Sequence, residues 1–392
     1  MNALRDAWTN VTPAILGLLE RKLHLNADHP IGILRNAIES TLPKSTYARY
    51  NNLSPIVTTL QNFDSLGFPS DHPGRSRTDT YYMNRSTVLR THTSAHEVDL
   101  FRSCPTDGFL VSADVYRRDE IDRSHYPAFH QTEGARTWHK EGLVHAIQSE
   151  LASIRNNIHA SDPAPPFSAT NPRQDAHSLE ECALIGAHLK RTVESIVCAV
   201  FPTHGKGLQV RWVEAYFPFT SPSWELEVWW EGEWLELLGC GVVKQELIPQ
   251  ADRFGWAFGM GLERLAMVLF GIPDIRLFWS TDARFLGQFQ RGTISQFKAY
   301  SRFPPCYKDI AFWKSPHFHV NDLMEVVRSV GGDLVEDVRL MDEFVHPQSG
   351  KSSLCFRINY RSMDRSLDNE SVNVLQEAVR AALVDRLGVT LR

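Results

Sequence analysis

Residues 115–136 bring together side-chain types that could bind a nucleotide and an amino group. Arg117 ends one predicted strand, and the strand that returns after a polar loop carries Phe129, Gln131 and Glu133 on one face. A lone buried carboxylate is costly unless it meets a cation. The pattern therefore indicates that Phe129 stacks on a flat base while Gln131 and Glu133 hold an ammonium group. Arg117 would then neutralise a phosphate, and a solvated sheet face is the alternative.

A second candidate site begins in residues 255–264, where glycines lead from a predicted strand into a predicted helix. Gly259 and Gly261 have the spacing of the first two glycines of a dinucleotide fingerprint. Arg264 occupies the third glycine position, however, and the neighbouring strands are predicted to be antiparallel, so we discount that fold. In the first turn of its helix, Arg264 instead suits stacking on a base beside an anionic phosphate chain.

Alternating hydrophobicity predicts an antiparallel sheet that carries both segments. Residues 109–117 and 129–136 are predicted to form a hairpin, and residues 208–240 are predicted to form further antiparallel strands. A turn is expected at Glu231–Gly232. The side chains expected to point inward on the strand before this turn are Trp224, Leu226, Val228 and Trp230.

Helices are predicted before the first of these strands in the sequence and again between the two groups of strands. Residues 12–42 are predicted to be helical, with a break at His29–Pro30. Residues 158–176 contain four prolines and are predicted to form a loop. Ser178 and Glu181 then have the spacing of a capping box, which begins another predicted helix.

A linker near 288–303 precedes a separate C-terminal unit. Its predicted elements are a strand at 308–313, a helix at 321–330, strands at 334–340 and 353–361, a helix at 369–386 and a strand at 388–391. The order β-α-β-β-α-β is that of the ferredoxin-like split βαβ fold. On strand 353–361 the alternation directs Arg357 and Arg361 outward, where they could contact phosphates or simply be solvated.

Composition and charge exclude several classes of protein. The 392 residues are 43% hydrophobic and 22% charged, which suits two globular domains rather than a disordered chain or a coiled coil. The net charge of −5 means that a nucleic acid would have to bind to local basic patches. The six cysteines form no CxxC pair, which argues against a zinc ribbon or a disulfide scaffold and favours a reducing compartment. No apolar run reaches the roughly 18 residues that a membrane span requires, so no membrane partner is expected.

Together, the two candidate segments resemble motifs 2 and 3 of class II aminoacyl-tRNA synthetases. THTSAHE at 91–97 and YFPFT at 216–220 narrow the resemblance to the phenylalanyl-tRNA synthetase family, in its single-chain organellar form. The resemblance covers nearly the whole chain and implies an α+β fold. It implies a class II catalytic domain with an N-terminal helical region over 1–295, in which helices flank the antiparallel sheet. It also implies a ferredoxin-like anticodon-binding domain over 296–392.

The resemblance implies roles for the residues that match the family's ATP motifs. Arg117 would contact the α-phosphate of ATP and the reacting carboxylate, and Phe129 and Arg264 would lie on the two faces of adenine. Ser124, His125 and Tyr126 fall in the motif 2 loop, which covers ATP. The residues implied to be catalytic are Arg117, Arg264 and His92.

The resemblance also implies a set of residues that bind phenylalanine. Gln131 and Glu133 would grip its ammonium group, Phe217 and Phe219 would pack against its ring, and Ala257 would close the back of the pocket. By spacing alone, two such phenylalanines are equally consistent with an ordinary core. The other residues implied to contact phenylalanine are Ser94, Ala95 (through its backbone), His96, Glu97, Thr132, Glu236, Phe258 and Gly259.

The chemistry implied is phenylalanine–tRNA ligation. The carboxylate of L-phenylalanine attacks ATP to form an adenylate, which a ribose hydroxyl at the 3′ end of tRNA(Phe) then attacks. This reaction needs no nucleophilic side chain, because catalysis consists of positioning and electrostatic stabilisation. The sequence shows no dedicated metal site, so Mg²⁺ is expected to bind through the ATP phosphates, with Glu236 as a candidate for an added contact.

Partners and location follow from the same resemblance. We expect Arg357 and Arg361 to contact tRNA, and we expect a mitochondrial matrix protein although the N-terminus shows no clear transit peptide. Residues 29–42 give no clear interface signal, so we expect a monomer. Two alternatives stay open: an RNA-binding protein that has lost catalysis, and a ligase that makes a free amide or peptide. The C-terminal unit could also be a regulatory module for a small molecule.

Overall fold

The computed structural model describes residues 5–154, 158, 160–201, 208–230, 232–299, 303–362 and 365–392. Within them the helices are α1 (Pro13–Leu18), α2 (Pro30–Ser40), α3 (Thr59–Asn62), α4 (Glu97–Ser103), α5 (Leu143–Ser153), α6 (Leu179–Val200), α7 (Leu262–Phe270), α8 (Ala283–Leu286), α9 (Val320–Gly331) and α10 (Asn369–Leu387). The strands are β1 (Tyr47–Tyr50), β2 (Ile56–Thr58), β3 (Tyr82–Asn84), β4 (Thr87–Leu89), β5 (Gly108–Tyr116), β6 (Ala128–His139), β7 (Ala160–Ser161), β8 (Val210–Glu214), β9 (Thr220–Trp230), β10 (Glu233–Val243), β11 (Arg253–Gly261), β12 (Cys306–Trp313), β13 (Val335–Val345), β14 (Ser352–Tyr360) and β15 (Thr390–Leu391).

An eight-stranded sheet forms the centre of the larger unit. Its strand order is β1-β5-β6-β11-β10-β9-β8-β7, and its neighbours are antiparallel except for the parallel pairs β1–β5 and β7–β8 at the two edges. Helix α6 packs on β10 and β11 through the stripe that its sequence predicts, which consists of Cys182, Ile185, Leu189, Val193 and Ile196. The predicted antiparallel sheet flanked by helices is therefore confirmed.

Strands β5 and β6 form the predicted hairpin. Because side chains alternate along a strand, Phe129, Gln131 and Glu133 share one face of β6. Gly134 follows them, and a Cβ atom at this position would lie 2.6 Å from the ring of Phe258 on β11. The glycine thus allows the aromatic ring to pack directly against the backbone of the neighbouring strand.

Strands β9 and β10 form the predicted antiparallel pair. Trp224, Leu226 and Val228 are buried as predicted, whereas Trp230 is only half-buried because it lies at the outer end of β9. At the predicted turn, Gly232 has a φ angle of 96°, which favours glycine, and Glu231 lies outside the described residues.

The N-terminal helical prediction is right in part. Residues 12–42 contain α1 and α2, but residues 19–29 between them are not α-helical, and Lys22 adopts a left-handed φ of 40°. Pro30 begins α2, where its missing N–H has no helical partner to lose. The capping box of Ser178 and Glu181 is confirmed at the start of α6.

The C-terminal unit has the predicted order β12-α9-β13-β14-α10-β15. Its four strands pair in the order β13-β14-β12-β15, which is the ferredoxin-like topology. The inward face of β14 carries buried Leu354, Phe356, Ile358 and Tyr360, as the alternation predicts. Within the described ranges, no helix is both long and apolar enough to cross a bilayer.

The C-terminal unit also contacts the loop between β5 and β6. Ile121 of this loop is buried in the hydrophobic cluster of the C-terminal unit. Its carbonyl oxygen accepts a hydrogen bond of 3.0 Å from the backbone N–H of Val338 on the edge strand β13. Arg328 of α9 donates a hydrogen bond of 2.8 Å to the carbonyl oxygen of Asp119. The small unit therefore supports a loop that belongs to the large one.

Candidate active site

A cavity of about 440 Å³ opens beside the middle of the large sheet. It collects residues that are far apart in the chain, because β6, β10 and β11 are neighbours in the sheet and residues 216–220 precede β9. The residues that line it are Phe68, Pro69, His72, His92, Ser94, Glu97, Arg117, Gln131, Glu133, Tyr216, Phe217, Pro218, Phe219, Thr220, Glu236, Gly239, Cys240, Ala257, Phe258 and Gly259.

One end of this cavity is aromatic. The rings of Phe217 and Phe219 stack with centroids 5.9 Å apart, at an angle of 18°. Gly239 makes room for them, since a Cβ atom there would lie within hard contact of the Phe217 ring. Ala257 and Phe258 complete this end. The two phenylalanines of residues 216–220 thus line the cavity, and the shape suits a flat apolar group.

The other end of the cavity carries carboxyl groups. Ser94 Oγ and Thr93 Oγ1 donate hydrogen bonds of 2.5 and 3.0 Å to one oxygen of Glu133. Burial raises the pKa of Glu133 to about 7, although these two hydroxyl groups oppose the rise. The side-chain oxygen of Gln131 accepts from the backbone N–H of Thr93 at 3.2 Å. A ligand ammonium group would therefore meet a carboxylate that is already oriented.

Glu97 lies at the start of α4 and lines the same cavity. Neither of its carboxyl oxygens has a hydrogen-bond partner in the described part of the chain, and the same is true of the second oxygen of Glu133. Burial and the nearby charge of Glu133 raise the pKa of Glu97 well above its usual value. The cavity therefore holds two carboxyl groups whose ionised forms a bound cation would stabilise.

His92 lies between the polar and aromatic ends. Its ring stacks on that of Phe68, with centroids 5.6 Å apart at an angle of 9°. Burial, together with the charge of Arg117, lowers the pKa of His92 to about 3. The imidazole is therefore neutral at physiological pH and adds no positive charge that would repel an ammonium group.

A second cavity of about 250 Å³ adjoins the first, and we call it the nucleotide cavity after the binding role predicted for its residues. It brings together all six residues predicted to bind ATP, which are Arg117, Ser124, His125, Tyr126, Phe129 and Arg264. The guanidinium carbon of Arg117 lies 5.1 Å from the centre of the Phe129 ring, and its Nε donates a hydrogen bond of 2.8 Å to the Thr91 carbonyl. The two cavities share Arg117, Gln131, Glu236 and Gly259.

The loop between β5 and β6 covers this second cavity with a defined geometry. His125 Nδ1 lies 2.7 Å from one oxygen of Asp122, and this contact raises the pKa of His125 above its usual value. Ser124 donates both its backbone N–H and its hydroxyl to the other oxygen of Asp122. Tyr126 stacks on Trp279, with ring centroids 5.5 Å apart. The loop can therefore present to a phosphate an imidazole that binds a proton more tightly than a free one.

Three predicted contact residues lie outside both cavities. Ala95 is buried in a separate hydrophobic cluster. His96 faces away, with its Nε2 2.9 Å from a guanidinium nitrogen of Arg90. Thr132 points to the other side of β6, where its hydroxyl lies 2.9 Å from that of Ser112. The prediction for Ala95 concerned only its backbone, so its buried side chain does not conflict with it. The side chains of His96 and Thr132 were predicted to contact phenylalanine, and they point away from the cavity.

The sequence analysis missed several residues of the first cavity. Phe68, Pro69 and His72 come from the segment that follows α3, and Tyr216 is 82% exposed at the start of YFPFT. Cys240 follows Gly239 on β10. The available signals were the family resemblance, which covers nearly the whole chain, and the tyrosine that begins YFPFT at 216–220. Neither indicates by itself which side chains reach the cavity.

The two arginines predicted to contact tRNA are both paired in the structure. Arg357 forms hydrogen bonds of 2.7 and 2.8 Å with Asp309 and lies 4.3 Å from the ring centre of Tyr307, which is 60% exposed. Arg361 forms an ion pair of 3.0 Å with the buried Glu336. Arg357 therefore remains beside an exposed aromatic surface, whereas Arg361 belongs to a largely buried pair.

Acidic side chains near the nucleotide cavity do not form a metal cage. Among the described residues, no group of three or more His, Cys, Asp or Glu side chains is arranged to hold a metal ion. Asp119 and Glu236 line the nucleotide cavity singly. Their oxygen donors suit a Mg²⁺ ion that is held mainly by phosphates and water.

The sheet topology, the paired cavities and the C-terminal ferredoxin-like unit are those of a class II tRNA synthetase. Residues 16–151 and 181–289 match the family model for the tRNA synthetases class II core domain (F). Residues 301–392 match the model for the ferredoxin-fold anticodon binding domain.

Full-length similarity narrows this class further. The mitochondrial phenylalanine–tRNA ligase of Saccharomyces cerevisiae is 48% identical, over 98% of this chain and 92% of its own length. The mitochondrial phenylalanine–tRNA ligase of Mus musculus is 45% identical, over 98% and 86%. The chloroplastic/mitochondrial phenylalanine–tRNA ligase of Arabidopsis thaliana is 45% identical, over 99% and 83%. The chain belongs to the phenylalanine–tRNA ligase family.

Proposed function

We propose that the protein activates L-phenylalanine with ATP and transfers it to the 3′-terminal ribose of tRNA(Phe) in the mitochondrion. The observation that carries this proposal is the shared wall of the two cavities. An aromatic cavity with a carboxylate at one end adjoins a nucleotide cavity, and Arg117 lines both. A carboxylate and an α-phosphate can therefore meet at one guanidinium.

The first step brings two anions together. A carboxylate oxygen of phenylalanine attacks the α-phosphorus of ATP, and the bond to the bridging oxygen breaks as pyrophosphate leaves with the electron pair. Arg117 stabilises the charge on the phosphate while Glu133 holds the ammonium group away from it. Arg264, in the first turn of α7, and Phe129 enclose the base. Catalysis is therefore orientation plus electrostatic stabilisation.

Mg²⁺ enters as the counter-ion of the ATP phosphates. Three carboxylates line the nucleotide cavity, and Glu263 is already bonded to the buried His130. Asp119 and Glu236 are the other two. They would hold the hydrated ion beside the phosphates. When bound, Mg²⁺ neutralises charge that develops on the leaving pyrophosphate.

The C-terminal unit would bind tRNA and so deliver its 3′ end to the catalytic domain. We assign residues 1–295 to catalysis and residues 296–392 to anticodon binding, and we place tRNA contacts at Arg357 and Arg361. Arg357 beside the exposed ring of Tyr307 offers a cation and a stacking surface, which suit single-stranded nucleic acid. Arg361 would contact a phosphate only after it releases Glu336. We propose that the protein acts as a monomer, which light scattering of the purified protein tests.

Phenylalanine-dependent exchange between ATP and pyrophosphate tests the first step. The proposal expects exchange with phenylalanine and aminoacylation of mitochondrial tRNA(Phe). Exchange without charging of any tRNA would instead indicate a ligase for a free amide or peptide. Binding of tRNA without exchange would indicate an RNA-binding protein that has lost catalysis.

A further inference from the structure

A buried contact between His130 and Glu263 joins the two segments of the nucleotide site. The backbone N–H of His130 donates a hydrogen bond of 2.7 Å to one carboxylate oxygen of Glu263, and His130 Nδ1 lies 2.6 Å from the other oxygen. The side chains of the two residues are 0% and 2% exposed. Since a carboxylate accepts in both contacts, Nδ1 carries the proton and donates.

The position of this contact in the chain gives it a role beyond general stability. His130 directly follows Phe129 on β6, and Glu263 directly precedes Arg264 in α7. The family resemblance implies that Phe129 and Arg264 lie on the two faces of adenine, and it implies no role for His130 or Glu263. The two segments are 133 residues apart in the chain, so the contact is entirely tertiary.

The regular strand pairing ends just before these residues. The ladder between β6 and β11 runs as far as the pair Gln131–Gly261, after which the chain enters α7. Beyond this pair, the contact between His130 and Glu263 continues the link between the two segments. Without it, the spacing between the Phe129 ring and the Arg264 side chain would depend on the remaining packing of α7 against β6.

The surroundings hold His130 in one orientation. Its ring stacks on Trp279, with centroids 5.6 Å apart at 21°, and lies 5.2 Å from the ring of His24. Two charge-assisted hydrogen bonds to one carboxylate are shorter and more directional than neutral ones. The pair is therefore a rigid connector, which we name the His130–Glu263 clamp.

We propose that the His130–Glu263 clamp is a positioning unit for adenine, because it sets the distance between Phe129 and Arg264. Glu263 lines the nucleotide cavity, but His130 engages both of its carboxylate oxygens, so we assign the two residues a positioning role and not a catalytic one. This inference rests on the proposed function, in which these two side chains enclose the base. The competing interpretation is that the clamp contributes stability alone.

The decisive variant of the full-length protein is Glu263→Gln. An amide of the same shape can accept from the backbone N–H of His130, but its NH₂ group then faces Nδ1 and forces the imidazole into its other tautomer, with the proton on the buried Nε2. We expect the KM for ATP in pyrophosphate exchange to rise roughly 5- to 30-fold, as for a coupling through a neighbouring residue. The KM for phenylalanine should stay within about twofold, since the phenylalanine cavity does not include Glu263. Equal rises in both KM values, or an unchanged KM for ATP, would overturn the proposal.

Two comparisons separate positioning from stability. Glu39→Gln removes another buried carboxylate, 4% exposed and bonded to Asn51, that lines neither cavity. It should lower the melting temperature without changing the KM for ATP. His130→Asn keeps a donor near the Nδ1 position, so it should retain a lower KM for ATP than His130→Ala. If these two variants have the same KM, the clamp has no positioning role, and this holds even if Glu263→Gln does not fold.

A double variant tests whether the clamp acts through Arg264. In the Arg264→Ala background, Glu263→Gln should change the KM for ATP by less than about twofold, because the positioned group is already absent. A full additional rise would contradict the proposal. If the wild-type protein supports no phenylalanine-dependent exchange, the proposed function fails. Equilibrium dialysis of ATP against the same variants then still tests the clamp.

Discussion

Glu133→Gln provides a test in which stability and substrate binding should change in opposite directions. Burial raises the pKa of Glu133 from 4.5 to about 7 in the folded protein. The folded state therefore binds this proton more tightly than the unfolded state, and stability is lost as the pH rises through that window. A shift of this size corresponds to about 3 kcal/mol, and the loss is complete above pH 7.

The variant cannot ionise, so it escapes this loss. We expect Glu133→Gln to have nearly the same free energy of unfolding as the wild type at pH 4.5 and to exceed it by about 3 kcal/mol at pH 8. The same variant loses the carboxylate that binds ammonium, so its KM for phenylalanine should rise roughly 10²-fold or more at pH 8. In the wild type, that KM should fall as the pH rises through about 7, because ammonium binds the ionised carboxylate.

Urea unfolding followed by tryptophan fluorescence at the two pH values measures the first effect, and pyrophosphate exchange measures the second. Glu150→Gln is a control of opposite sign. The hydrogen bond from His188 and the charge of Arg136 outweigh burial there and lower the pKa of Glu150 to about 2. That variant should be less stable than the wild type at pH 8. If the stability gap for Glu133→Gln does not widen with pH, the folded protein does not raise the pKa of this carboxyl group.

The remaining predictions concern the phosphate site, the side-chain pocket and the domain contact. Arg117→Ala should lower the rate of phenylalanine-dependent exchange by roughly 10²–10³, the usual cost of losing one preorganised stabiliser, and a variant within threefold of wild type would remove Arg117 from the mechanism. Ala257→Gly should admit para-substituted phenylalanines, since Ala257 closes the aromatic end of the cavity, and unchanged selectivity in exchange assays would show that the pocket is misplaced. A chain truncated after Ser295 should lose most tRNA charging but keep exchange with a raised KM for ATP, because Ile121 and its loop lose their support. Circular dichroism checks that the truncated chain folds, and charging is compared at fixed salt concentration. Unaltered charging would contradict anticodon binding by the C-terminal unit.

Local sequence patterns were enough to predict most of the secondary structure. The alternation on β14 and the capping box at Ser178 depend on neighbours within a few residues, so both were readable directly. The prediction of a continuous helical region over 12–42, apart from one break, was too broad. Short helices depend on tertiary packing, and Lys22 adopts a left-handed conformation that its residue type does not favour.

Spacing within one strand also identified candidates for binding the base and the ammonium group. Phe129, Gln131 and Glu133 share a face because side chains alternate along β6, whatever else the chain does. The helix that begins after Gly261 likewise places Arg264 in a first turn. These features belong to single elements, which is why the sequence by itself determined them.

The tertiary structure alone decided which of these side chains meet, and in what charge state. Phe217 and Phe219 line a cavity because β10 carries Gly239 opposite the Phe217 ring. His96 points away from this cavity, and its Nε2 contacts the guanidinium group of Arg90. The raised pKa of Glu97 depends on its burial and on the nearby carboxyl group of Glu133, which strand β6 brings to it. Burial and pairing are properties of contacts between distant segments. A sequence pattern records the face on which a residue lies, but not the partner that the fold brings to it.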